Sequence, residues 1–315
     1  MKNYTVRKYK SEDYANWNAF ISTAKNGTFL FHRDFMEYHK DRFQDYSLIV
    51  LDGENWAAVL PANQVGNLVF SHQGLTYGGL IFTQKQKAAE TEAVLISLQS
   101  YLKENEITSL KIKTIPAIYN KFSTQELDYF LFQKGANLYR RDMNLAIDLQ
   151  SDWQLSKSKL KHFNKIERDL ELVEENDFFP FWNSVLKPVL ETKYNTSPVH
   201  TLEEITLLKN FFPQNIRQFS AYADGKIVAG ITIFESDLVV KSQYGAVNSD
   251  GERTRALDFL FINLIKKYKA EGKKYFDMGI VNENEGKYYN PGLLNQKNEL
   301  GCAVFNHDFY ELGII

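Results

Sequence analysis

The chain has 315 residues, 44% hydrophobic, 24% charged and 14% aromatic, with a net charge of −2. At roughly 150 residues per domain the length suggests two domains, and the composition excludes disordered, collagenous and coiled-coil chains. The charge excludes a general polyanion binder, since residues 1–150 hold 17 basic and 16 acidic side chains and residues 151–315 hold 20 and 23.

No apolar run reaches the roughly 20 residues that a bilayer crossing needs. Met1 to Lys10 is charged and has no apolar signal-peptide core. The one cysteine, Cys302, cannot form an internal disulfide or a zinc cluster. These features predict a cytoplasmic protein without a membrane span or a metal.

Tyr4 to Tyr9 reads as a strand, and Ser11 opens a helix carrying Trp17, Phe20 and Ile21. The spacing of Phe31, Phe35, Tyr38 and Phe43 predicts a second helix. Tyr46–Leu51 and Trp56–Pro61 read as strands joined by an Asp52-Gly53 turn. A polar, Gly-rich loop, Ser71 to Gly79, follows an extended Leu68–Phe70. A long helix is expected over about 85–105, then a strand over Ser109–Ile115. Ser123 with Glu126 reads as a capping box, and Leu138–Leu149 as a closing strand.

The second half opens with a basic helix from Ser156 to Leu170. A helix over Asp177–Thr192 should bend at Pro188. Thr201 with Glu204 is a capping box for a helix to Phe212. Strands follow at Ile216–Ala223, Ile227–Phe234 and Leu238–Val247, the first two joined by Asp224-Gly225. A loop from Asn248 to Glu252 leads to an apolar helix, Arg255–Ala270, and a strand, Tyr275–Gly279. A long loop is expected over Asn282–Asn298, then strands at Cys302–Phe305 and Phe309–Leu312.

Both halves run helices, strand, Asp-Gly turn, strand, strand, long helix, strand. This predicts an internal duplication with domains at 1–150 and 151–315.

Helices, an antiparallel meander, a long crossover helix and a parallel strand form the order of the GNAT acyltransferase fold. Phe276-Asp277-Met278-Gly279, Gly292-Leu293, Gln296-Lys297, Leu300-Gly301 and Tyr310-Glu311-Leu312 add sharper motifs. With them the chain resembles tandem-GNAT relatives of the Fem family of peptidoglycan-bridge aminoacyltransferases. The segments Ser71–Gly79 and Ser197–Glu204 also look like those of that group. The resemblance implies an α/β (α+β) fold of two tandem GNAT-like domains, each a mixed, mainly antiparallel sheet flanked by helices. GNAT domains that bind acetyl-CoA usually carry a Q/R-x-x-G-x-G/A loop before the long helix. Here Asn248 to Arg255 holds one glycine and two acids, so acyl-CoA and aminoacyl-tRNA both stay open as donors. Cys302-Ala303 also departs from the glycine and arginine that often follow Leu300-Gly301 in the group.

The resemblance gives Lys297 the polarising role of the group's motif lysine, against a solvated loop lysine. Gln296 and Asp277 belong to the same motifs as substrate contacts, with Asp277 binding a substrate hydroxyl, orienting a lysine, or capping a strand end. His200 is placed to take a proton from an amine, or to pack on Pro198. His72, Gln73, Thr76 and Tyr77 form a candidate binding loop. Tyr244 lies on the strand whose N–H groups bind the acyl carbonyl in GNAT domains, with Gly245 permitting a bulge, or is a core tyrosine. Arg253 and Arg255 at a helix start are candidates for a phosphate. The basic run Lys157, Lys159, Lys161, His162, Lys165 and Arg168 is a possible tRNA or diphosphate contact, or a solvated helix face. His32, His39 and His307 show no metal-ligand spacing.

The expected activity is N-acyl transfer to an amine, on a cell-envelope precursor or a nucleotide-linked amino sugar in a bacterial pathway. The other reading is a duplicated GNAT fold that binds a nucleotide-sugar or peptide without chemistry.

Overall fold

The computed structural model describes residues 2–314. The chain divides into two compact units. The first comprises residues 1–142, 284–287 and 305–315, and the second residues 143–283 and 288–304. This differs from a single cut after 150, because the last strand of the chain returns to the first unit.

In the first unit β1 (Thr5–Lys8) precedes helix α1 (Tyr14–Thr23). The second expected helix is broken. A 3-10 turn, Phe29–Phe31, the short α2 (Arg33–Glu37) and a further turn, Lys40–Arg42, replace it. Strands β2 (Gln44–Asp45), β3 (Leu48–Asp52), β4 (Asn55–Leu60), β5 (Asn63–Val65), β6 (Leu68–Phe70) and β7 (Ile81–Phe82) follow. Then come α3 (Ala88–Glu104), β8 (Ser109–Lys113), α4 (Glu126–Gln133) and β9 (Asn137–Asp148), whose residues from Met143 onward belong to the second unit. Ser123 does not cap α4, which starts after Gln125 without a side-chain cap.

The first unit's strands lie in two sheets. One has the order β1-β3-β4-β7, all antiparallel. The other runs from β2 through β5 and β6 to β8, with β6 and β8 parallel. The core gathers Leu48, Val50, Leu60 and Leu110 with Val94, Leu95, Leu98 and Leu102 of α3. Each such buried aliphatic side chain stabilises by about 1.5–3 kcal/mol.

The second unit begins with α5 (Lys157–Ile166), whose N-cap Ser156 accepts from Lys159 N. Strand β10 (Glu171–Glu175) and α6 (Phe179–Phe181) come next. A π-turn, Trp182–Leu186, joins α6 to α7 (Lys187–Tyr194), so the irregularity lies just before Pro188. Helix α8 (Leu202–Phe211) carries the expected Thr201–Glu204 box. The meander β11 (Ile216–Ala223), β12 (Lys226–Glu235) and β13 (Val239–Val247) follows. Asp224 and Gly225, at φ 50 and 73, make its first turn. A short helix, α9 (Ser249–Thr254), stands where a loop was expected, because Asn248 caps it through Gly251 N. Then come α10 (Ala256–Ala270) and β14 (Tyr275–Ile280).

The expected long loop after β14 is also structured. It holds a hairpin, β15 (Asn282–Glu283) with β16 (Tyr288–Tyr289), and helix α11 (Pro291–Glu299). One continuous strand, β17 (Ala303–Gly313), ends the chain and pairs antiparallel with β8. The second unit's sheet has the order β10-β11-β12-β13-β14-β9, with only β13 and β14 parallel. Phe219, Ile231, Ile233 and Val240 on one face bury against Leu260, Leu264, Ile265 and Tyr268 of α10. No helix among the described residues is long and apolar enough to cross a membrane.

Candidate functional site

In the second unit β13 and β14 pair from Val239 opposite Tyr275 to Lys241 opposite Asp277. Pairing stops there, although β13 continues to Val247 and β14 to Ile280. Beyond Lys241, β13 is bonded only to β12 among the described residues. An unpaired strand edge offers backbone N–H groups to a ligand carbonyl. A bulge at Gln243, between the pairs Ile233–Ser242 and Thr232–Tyr244, re-aims this stretch. Gly245 pairs regularly with Ile231, so the bulge is two residues earlier than expected.

Lys297 lies on a helix rather than a loop. Asn290 caps α11 by accepting from Leu293 N at 3.0 Å, and Pro291 fits its first turn. The last turn carries Lys297 inward, to 5% exposure. Its Nζ donates to the carbonyls of Gly279 at 3.0 Å and Ile280 at 2.9 Å. Gly279 presents them by adopting φ +75, and a Cβ there would lie 3.3 Å from Lys241 Nζ. The buried Asp277 accepts from Gly279 N at 2.7 Å and from Lys241 Nζ at 3.4 Å. Burial, then the Lys241 ammonium, push the Lys297 pKa down to about 8. Cys302 sits beside Met278, and burial pushes its thiol up to about 12, leaving it unreactive.

His200 and Tyr244 meet. Tyr244 Oη lies 2.5 Å from His200 Nδ1 and accepts from His200 N at 3.2 Å. Burial pushes the Tyr244 phenol up to about 12, so it stays protonated and can donate to Nδ1. The edge of Trp182, from the π-turn, packs on Tyr244 at 5.2 Å. Beneath them Thr232, opposite Tyr244 in the ladder, donates to Gln218 at 2.8 Å.

Lys159, Arg255, Glu252, Asp258, Gln296 and Glu299 line an open cleft of about 370 Å³ at the start of α10. Lys159 is already held by Asp258 at 2.6 Å and faces Glu299 at 3.8 Å. The expected basic face of α5 therefore loses Lys159 inward, while Lys157, Lys161, Lys165 and Arg168 stay exposed. Arg253 is exposed and pairs with Asp250, and it does not line the cleft. Arg255 does, at φ 54 between α9 and α10.

The Gly-rich loop of the first unit divides. His72 and Gln73 line a cleft of about 260 Å³ with Lys111, Lys113 and Arg140. Asn63 fixes Gln73 by two bonds of 2.8 Å. Tyr77 instead turns into the core, against Tyr119 at 4.5 Å, with its hydroxyl on Thr28. Thr76 is half-buried and does not line the cleft. The chain-order reading missed Lys113, Arg140 and Lys241. Alternation does place Lys111 and Lys113 on one face of a strand, which was the available signal.

Residues 198–288 match the family model described as an acetyltransferase (GNAT) domain. The second unit carries a GNAT acyltransferase domain. None of the curated proteins matches the chain. Among solved structures, FemX is similar over 98% of this chain and 97% of its own, at TM-score 0.71 and 10% identity. L-PGS from Bacillus licheniformis is similar over 97% and 92%, at TM-score 0.64 and 14% identity. A tandem GNAT protein from the clavulanic acid biosynthesis pathway aligns over 99% of both chains, at TM-score 0.53 and 10% identity. These likenesses show a tandem-GNAT fold.

A GNAT domain implies an activated acyl donor, commonly acyl-CoA. The start of α10 does not fit its pyrophosphate. Three carboxylates line that cleft against two cations, and Lys159 is neutralised. The Gly251 N–H is used by Asn248 at 2.9 Å, and a Cβ on Gly251 would lie 2.4 Å from the Val228 carbonyl. The glycine thus serves close packing on β12 and leaves no open phosphate cradle there.

Proposed function

We propose that the GNAT domain transfers an acyl or aminoacyl group to an amine, with its centre at the parting of β13 and β14. The observation that carries this reading is the end of their pairing at Lys241 and Asp277, with a buried lysine of α11, Lys297, bonded to the turn that follows β14. The free edge of β13 binds the acyl carbonyl, and Lys297 with Lys241 supplies positive charge as the carbonyl oxygen becomes an oxyanion. The amine attacks the carbonyl carbon, the carbon–heteroatom bond to the donor breaks with its electron pair leaving on the donor's oxygen or sulfur, which takes up a proton from water, and the amine loses a proton. Tyr244 Oη receives that proton while passing its own to His200 Nδ1. Asp277 positions Lys241 and the Gly279 turn. The resemblance to the Fem group supports a cell-envelope precursor or nucleotide-linked amino sugar as acceptor, and the acid-lined cleft favours an aminoacyl ester such as aminoacyl-tRNA over acyl-CoA. The balanced charge and the single cysteine support a cytoplasmic setting.

The same acid-lined cleft favours a second reading, a binding module without chemistry. Transfer assays with acyl-CoA and aminoacyl-tRNA donors against a panel of amines separate the two. Turnover is expected with at least one donor, falling more than tenfold in Lys297→Met and at least tenfold in Tyr244→Phe, with circular dichroism unchanged. Unchanged turnover in Lys297→Met removes that lysine's role. No turnover and no thermal shift with any donor establishes the second reading.

A further inference from the structure

The cleft of the first unit is built around a cation that no carboxylate neutralises. Lys113 Nζ donates to the Leu75 carbonyl, and no acidic partner pairs with it among the described residues. Its neighbours differ. Arg140 is held by Asp142 at 2.7 Å, and Lys111 lies 3.8 Å from Glu311. Burial, then Arg140, push the Lys113 pKa down to about 8, the response of an ammonium lacking a counter-ion.

A second group points to the same place. His72 is 4% exposed and lines the cleft. Burial holds this ring neutral, with its pKa pushed down to about 3. A neutral imidazole can donate one N–H to an anion without adding charge.

The remaining walls are rings. Phe70, Tyr139 and Phe309 line the cleft. Lys111 Nζ lies 5.5 Å from the Tyr139 centroid, and Arg140 stacks 4.4 Å above Phe309. These contacts hold the rings upright beside the cations. Glu285, at φ 55, is the one carboxylate of the lining and suits a hydroxyl or amine donor on the same ligand.

We propose that this cleft is a binding site for a phosphate monoester carried on a flat, ring-bearing body. The dianion sits between Lys113 and Lys111 with His72 as a third contact, and the body lies among Phe70, Tyr139 and Phe309. Two ammonium groups favour a dianion over a carboxylate. The site stands on its own geometry and is independent of acyl transfer.

Calorimetric titration of the full chain at pH 7.5 tests it, with phenyl phosphate, inorganic phosphate, benzoate and benzyl alcohol as probes. Phenyl phosphate should bind at least tenfold more tightly than each of the other three. Lys113→Met should weaken it at least tenfold and Lys113→Arg should largely restore it. Tyr139→Ala, at a half-exposed ring, should narrow the gap between phenyl phosphate and inorganic phosphate, which keeps the test open if Lys113→Met fails to fold. Equal binding of benzoate, undiminished binding in Lys113→Met, or no binding of phenyl phosphate overturns the proposal.

Discussion

The Lys297 ammonium is shut away from bulk water, and two carbonyls and the Asp277 carboxylate set its surroundings. Carbonyl dipoles favour the charged form less than water does, so its proton is held more weakly than in the unfolded chain. If Lys297 acts as a cation, acyl transfer should decline as pH rises through about 8. A pH–rate profile reads this directly, and a flat profile to pH 9.5 would contradict it. Stability moves the other way. Between about 8 and the unfolded value of 10.5 the unfolded chain binds the extra proton, so stability should rise with pH in that window. Lys297→Met should flatten both dependences. The motif residues around Phe276–Gly279 and Gln296-Lys297 made this lysine legible from sequence. Its burial was not, because the polar stretch after β14 hid the helix that Asn290 and Pro291 begin. Lys113 was illegible for the opposite reason. A lysine in an alternating strand reads as solvent-facing, and only the fold shows that its face is a cleft wall.

At the scale of elements, the meander of the second unit depends on how closely the end of α6, just before the π-turn, approaches β12. Gly230 meets Phe181 so tightly that an added Cβ would lie 2.1 Å from the ring. Both parts are fully buried in the core, where neighbours have little room to yield. Gly230→Ala should therefore displace the segment that carries Trp182 onto Tyr244. Overpacking of this kind costs about 1–3 kcal/mol. At roughly 2–4 °C per kcal/mol in a domain of this size, thermal unfolding of the second unit should shift down by several degrees. A calorimetric scan that shows no shift would mean the helical segment slides freely. The strands here were legible, since alternation and the Asp-Gly turn fix them. The π-turn was not, because Pro188 signals a bend without specifying an extra residue in the turn before it.

For the whole molecule the informative feature is the path of the chain's last strand. The repeat of helices, meander, crossover helix and strand was readable in both halves, and it points to a boundary near residue 150. It does not reveal that residues 305–315 rejoin the first unit. The reason is a long-range pairing: Phe309 to Gly313 bond antiparallel to Lys113 to Ser109. Leu312 is buried there at 1% exposure in the core shared with Leu110, and Phe309 forms a wall of the first unit's cleft. Strand register of this kind is set by contacts far apart in sequence, which local periodicity does not encode. Removing residues 305–314 should thus open the edge of β8 and expose Leu110 while leaving the α10 core of the second unit without a lost partner. Hydrogen exchange should show fast exchange in Ser109–Lys113 of the truncated chain and native protection in β11 and β12. Protection lost equally in both regions would mean that the two units fold as one cooperative body.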